Sequence, residues 1–190
     1  MIDLKEKILK NKQIFLEKND NYKIFTSELL DFLGEDLMTA PASSMLSLHN
    51  AFPGGLVDHI LKTTKYAIGL SNLLPAKLSI NSTSIVKVCF LHQIGKTFLY
   101  KWNDSEWHRK NQGKIYEYNE ELVSIKIGER SAFYALKYGV ELNEKEYQSI
   151  VNYDKSDDDK QSKWYGCTLS TILKQANELA IIEEKSLNNG

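Results

Sequence analysis

The sequence predicts an all-α fold, a helical bundle forming one domain over residues 1–190, with any β-structure confined to about residues 100–118. Two observations carry this. Apolar residues recur at helical spacing on both sides of that segment, and no internal repeat or flexible linker divides the chain. A third is compatible with it: 42% hydrophobic residues, with 11% aromatic, are enough to fill one core in 190 residues.

The elements follow in order. Residues 2–17 place Ile2, Leu4, Ile8, Leu9, Phe15 and Leu16 near helical spacing, with lysines and glutamates between them. A second helical pattern runs from Tyr22 to Leu33 and is expected to stop at Gly34. These N-terminal helices, residues 1–38, precede a core at 40–180. TAPASSMLSLHNAFPG (39–54) holds two of the three prolines and marks a loop or broken helix. A long helix is expected from Gly55, where Leu56, Ile60, Leu61, Thr64, Ala67, Ile68 and Leu70 share a face.

SINSTS (79–84) supplies N-caps for a helix from Ile85 to about Tyr100. KWNDSEWHRKNQGKIYEYN is polar and aromatic and reads as a short hairpin or loop. Its Trp102, Trp107, Tyr116 and Tyr118 could stack on bases, but a packed hairpin face is the expected role, and His108 should lie at the surface. Helices return at about 121–138 and 143–153, separated by Gly139. DKSDDDKQSK (154–163) reads as a charged loop without the spacing of a calcium loop, and a last helix spans roughly 167–184.

The charge balance narrows the function. With 24 Lys+Arg against 25 Asp+Glu the net charge is -1, so no global basic field exists to hold a polynucleotide by counterion release. Small nucleotides are unaffected by that argument. Cys89 and Cys167 make neither a disulfide framework nor a CxxC zinc pair, and Cys89, in an apolar run, reads as a small buried hydrophobe. The N-terminus lacks the apolar core of a signal peptide, and no stretch reaches the roughly 18 apolar residues of a membrane span. The expected compartment is the cytoplasm, with no membrane partner.

Two segments carry chemistry. HNAFPGGLVDH (49–59) puts Gly54 and Gly55 directly before a helix, where backbone amides can meet a phosphate, and places His59 one turn in. FLHQIGK (90–96) ends an apolar helix on His92, Gln93 and Lys96. Singly, each has a plainer role: a structural histidine, a turn, a solvated helix-end cation for Lys96.

Together they resemble the HD superfamily of metal-dependent phosphohydrolases, and more narrowly the small HD proteins encoded by bacteriophages. That group carries an APAS…HNxFPGGLVDH segment and a downstream LLHDIxK segment. Here APASSMLSLHNAFPGGLVDH stands at 40–59 and FLHQIGK at 90–96, while GERS (128–131) and KQANELA (174–180) resemble two later segments. The resemblance implies a divalent cation held by His59, by the His-Asp doublet at His92 and Gln93, and by a final Asp at Asn177. Two carboxylates are therefore amides. Where the group tends to have further histidines, Ile127 and Asn152–Asp154 stand.

Neutral amides hold hard or borderline cations poorly without a carboxylate beside them. A metal would need His59 and His92 with Asp58 or Asp154 as a third ligand. The expectation is a catalytically degenerate domain without a cofactor that binds a nucleotide or phosphorylated small molecule, possible partners including a second copy of the chain. His49, Gly54, Gly55, His59, His92, Gln93, Lys96, Arg130 and Asn177 would line the site. One alternative is a working nucleotide phosphohydrolase using Mn, Ni, Co, Mg or Fe. The other is a ligand-free interaction subunit.

Overall fold

A computed structural model describes residues 3–154 and 166–188. Among them the chain forms eight α-helices and one two-stranded antiparallel sheet, as the periodicity predicts. Helix α1 (Leu4–Tyr22) ends on Lys23 in the left-handed region, with its N–H donating to Asn19 O. The buried Asn19 side chain then accepts from Phe25 N at 2.8 Å and turns the chain. Helix α2 (Ser27–Thr39) is capped by Thr26, whose Oγ1 accepts from Leu29 N and donates to Tyr138 O far along the chain.

Helix α3 (Gly55–Ser71) is the central element and packs against α8 (Thr168–Asn188), α4 (Ser82–Leu91), α1 and α2. Asn81 caps α4 by accepting from Thr83 N, which fulfils the expectation placed on SINSTS. Helices α6 (Ile127–Lys137) and α7 (Glu144–Val151) close the side of the bundle. A reciprocal capping box between Asn143 and Glu146 starts α7. The core is aromatic at one end: Phe15 of α1 stacks on Phe90 of α4 at 4.6 Å and meets Phe25 edge-on at 5.5 Å.

Strands β1 (Tyr100–Trp102) and β2 (Tyr116–Tyr118) pair with Tyr100 opposite Tyr118. Helix α5 (Glu106–Gln112) fills their connection. The sheet is tied to the 40–54 loop, since Tyr116 N donates to Ser44 O and Leu46 N to Gly113 O.

Three helix boundaries and the packing of the hairpin differ from expectation, each boundary for a local reason. The helix expected to stop at Gly34 continues to Thr39, because Gly34 takes a left-handed φ of 48° and kinks the helix without ending it. The helix expected to reach Tyr100 ends at Leu91. His92 there spends its Nδ1 on Cys89 O at 2.7 Å, and a 3₁₀ turn, Ile94–Lys96, carries the chain on. The helix expected from residue 121 begins at Ile127. Residues 122–126 run without helix over the surface, and Arg130 Nη2 donates to Val123 O. The aromatic hairpin face is not packed: Tyr116 is buried, but Trp102, Trp107 and Tyr118 are more than half exposed. Of the charged loop expected at 154–163, all but Asp154 lies outside the described residues.

Candidate functional site

Four elements bring the site together: the 40–54 loop (His49), the first turns of α3 (His59), the chain just after α4 (His92, Gln93, Lys96) and α8 (Asn177, Glu184). His59 and His92 share one buried cluster, with ring centroids 5.8 Å apart, and His49 lies 4.9 Å from His59. The two sequence segments thus meet in space. His59, His92, Gln93, Lys96, Asn177 and Glu184 are all buried, and His49, half-buried, is the outermost member.

The hydrogen bonds define what each group can still do. Asn177 Oδ1 lies 2.9 Å from His59 Nε2 and also accepts from Gln93 Nε2 at 3.0 Å. On the opposite edge of the same ring, Nδ1 lies 3.0 Å from Glu184 Oε2. Ser131 Oγ receives Gly95 N and donates to His92 O, locking the segment after α4 onto α6. Tyr153, where the resemblance implies a histidine, packs edge-on against His92 at 5.0 Å. Four buried atoms have no partner among the described residues: His49 Nε2, His92 Nε2, Gln93 Oε1 and Arg130 Nη1. Such atoms are costly unless a ligand or water meets them.

Burial also sets the charges. Desolvation pushes the imidazoles down, His49 to about 2 and His59 and His92 to about 3, so all three are neutral near pH 7. Burial pushes Glu184 up to about 8 and Lys96 down to about 8. Lys96 is only 5% exposed and donates to Ala42 O at 2.6 Å. It has no salt-bridge partner among the described residues, so the solvated helix-end reading does not hold. Its charge is felt at all three imidazoles.

Several sequence candidates stand elsewhere. The Gly54 and Gly55 amides donate to Thr39 O and Phe52 O and are not offered to a ligand. Gly55 is needed for close approach instead, since a Cβ there would lie 2.1 Å from Asn50 O. Arg130 borders a groove of about 550 Å³ with Leu99, Tyr118, Val123, Ile127 and Asp154. Asp58 is spent on Lys7 (3.1 Å), Lys62 (3.0 Å), Asn11 (3.0 Å) and Asn50 (2.9 Å). Asp154 is exposed in the groove beside Arg130. Neither joins the one group able to hold a metal among the described residues, His49, His59 and Glu184.

Glu184 was not singled out from the sequence, although it stands two helical turns beyond Asn177 on the same face of α8. That spacing was the available signal. By contrast, the cation position that the resemblance implies, on the Nε2 side of His59, does not suit a divalent ion. The amides of Gln93 and Asn177 are bonded to each other and lie against the imidazole there, no carboxylate accompanies them among the described residues, and the Lys96 ammonium opposes a second cation. The chain matches no family model, no curated protein and no solved structure in comparisons with known proteins.

Proposed function

We propose that the chain is a catalytically degenerate HD-type domain that binds a nucleotide or a phosphorylated small molecule at the His49–His59–His92–Lys96 cluster. One observation carries the reading: a buried ammonium with no carboxylate in salt-bridge contact among the described residues stands in a cluster where His92 Nε2 and Gln93 Oε1 are buried without a partner among them. His92 donates through Nδ1 to Cys89 O, so its neutral Nε2 is an acceptor, as is Gln93 Oε1. A complementary ligand carries an anionic group for Lys96 and hydroxyl or amine donors for the imidazole and amide. Phosphorylated sugars and nucleotides combine both. His49, half-buried on the 40–54 loop, is the outer member of the otherwise buried cluster, so a ligand would enter past that loop.

Calorimetric titration of the full chain with nucleoside mono-, di- and triphosphates and with inorganic phosphate tests this. Saturable binding is expected, weakened at least tenfold by Lys96→Met. A second reading, a phosphohydrolase with a changed ligand set using Mn, Ni, Co, Mg or Fe, is favoured by the carboxylate of Glu184 beside His59. It requires metal-dependent phosphate release that disappears in Glu184→Gln.

A further inference from the structure

We infer that His49, His59 and Glu184 form a site for a zinc-class divalent ion on the Nδ1 side of His59, opposite to the position the HD resemblance implies. This deepens the reading above by giving the same cluster a metal, and its test uses no phosphorylated ligand. The argument starts from the two edges of one ring. At Nε2, the Asn177 amide oxygen lies 2.9 Å away, placed to accept an Nε2–H, and Gln93 Nε2 lies at 3.2 Å. In the tautomer that donates Nε2–H to Asn177, Nδ1 carries the lone pair and faces Glu184. An outer-shell acceptor that orients a ligating imidazole is the usual companion of a histidine metal ligand. Asn177, standing where the resemblance implies a ligand, thus becomes the residue that positions one.

At Nδ1 the surroundings change character. Glu184 presents both carboxylate oxygens, at 3.0 and 3.2 Å, and is 1% exposed as a residue. His49 adds a buried Nε2 that has no partner among the described residues. One ligand atom from each of the three residues lies within 4.8 Å of the others. Donors around a tetrahedral zinc at about 2.1 Å sit about 3.4 Å apart, so, with His59 Nδ1 and Glu184 already 3.0 Å apart, it is His49 that has to close, by up to about 1.4 Å. His49 is the half-buried member and sits on a loop whose backbone is held by Ser43, so it is its side chain that would turn toward the other two.

Two imidazoles and one carboxylate suit zinc or cobalt better than magnesium or calcium, which prefer all-oxygen shells. Three protein ligands leave a fourth position open, as in catalytic rather than structural zinc sites. Lys62 also approaches Glu184, at 3.7 Å, but stays paired with Asp58 at 3.0 Å when Glu184 turns to the ion. Lys96 remains a repulsive neighbour and weakens the site.

The experiment is zinc titration of the chelator-stripped full chain, with X-ray absorption of the zinc-loaded protein. One equivalent should bind, with two imidazoles in the shell. Glu184→Gln should lose at least tenfold in zinc affinity, and Lys96→Met should gain. That gain has the opposite sign to the expected effect of Lys96→Met on phosphorylated ligands, so either proposal can fail alone. Absence of stoichiometric zinc in the unaltered chain overturns the site, as does a shell of three imidazoles including His92, or unchanged affinity in Glu184→Gln. The absorption measurement on the unaltered chain decides the matter even if the variants fold poorly.

Discussion

His49, His59, His92 and Glu184 each hold a protonation state that an unfolded chain would not. The imidazoles stay neutral because their folded values lie near 2 to 3, against about 6.5 unfolded. Below pH 6.5 the unfolded state binds more protons, so this contribution is complete above 6.5 and is lost as pH falls toward 3. Glu184 acts oppositely: its folded value, about 8, exceeds the unfolded one, so it stays protonated in the fold and stability declines as pH rises from about 4.5 to 8. Near pH 5 three histidine protons outweigh one carboxyl proton, leaving about two net protons. Stability should then fall by about 3 kcal/mol per pH unit on acidification. Urea unfolding at pH 5.0, 5.5 and 6.0 measures this, and a flat profile would count against neutral buried imidazoles. His59, His92, Gln93, Lys96 and Asn177 were legible at this scale because two motifs named them. Glu184 was not, because no motif contains it and only the closing of α8 onto α3 brings it to His59.

Between elements, the junction of the 40–54 loop with α3 carries the site, and two substitutions test it. Gly55→Ala would drive a Cβ to 2.1 Å from the backbone oxygen of Asn50, which cannot yield as a side chain could. A loss of about 3 kcal/mol is expected, at the upper end of overpacking costs. Asp58 ties α3 to α1 through Lys7 and Asn11 and to the loop through Asn50. Asp58→Ala should cost about 2 kcal/mol, less than a fully buried pair because Lys7 is partly exposed. Thermal unfolding of both variants reads these values, and wild-type stability in either would show the junction to be slack. Most helices were legible here because long amphipathic runs such as 55–71 repeat one apolar face. The ends were not. Gly34 looks like a stop but only kinks, and the break after Leu91 depends on a His92 side-chain bond to its own backbone. The exposed aromatics of the hairpin show the same limit, since their alternation does not reveal whether anything covers them.

At the scale of the molecule, a bundle centred on α3 and closed by α8 brings together groups from distant parts of the chain and buries all of them but the half-buried His49. With the amides of Gln93 and Asn177, and no carboxylate among the described residues, on the Nε2 side of His59, little manganese-dependent hydrolysis of nucleotides by the unaltered chain is expected. Gln93→Asp with Asn177→Asp should raise manganese affinity, read by metal content after gel filtration; no gain would mean that Lys96 or the packing excludes a cation there regardless of ligand charge. The central claim concerns what the cluster binds. The most direct measurement compares calorimetric binding of a nucleoside phosphate series by the unaltered chain and by Lys96→Met, with folding of both checked by circular dichroism. Saturable binding that falls at least tenfold in Lys96→Met is the predicted result. No binding at millimolar ligand, or binding indifferent to Lys96, would contradict it.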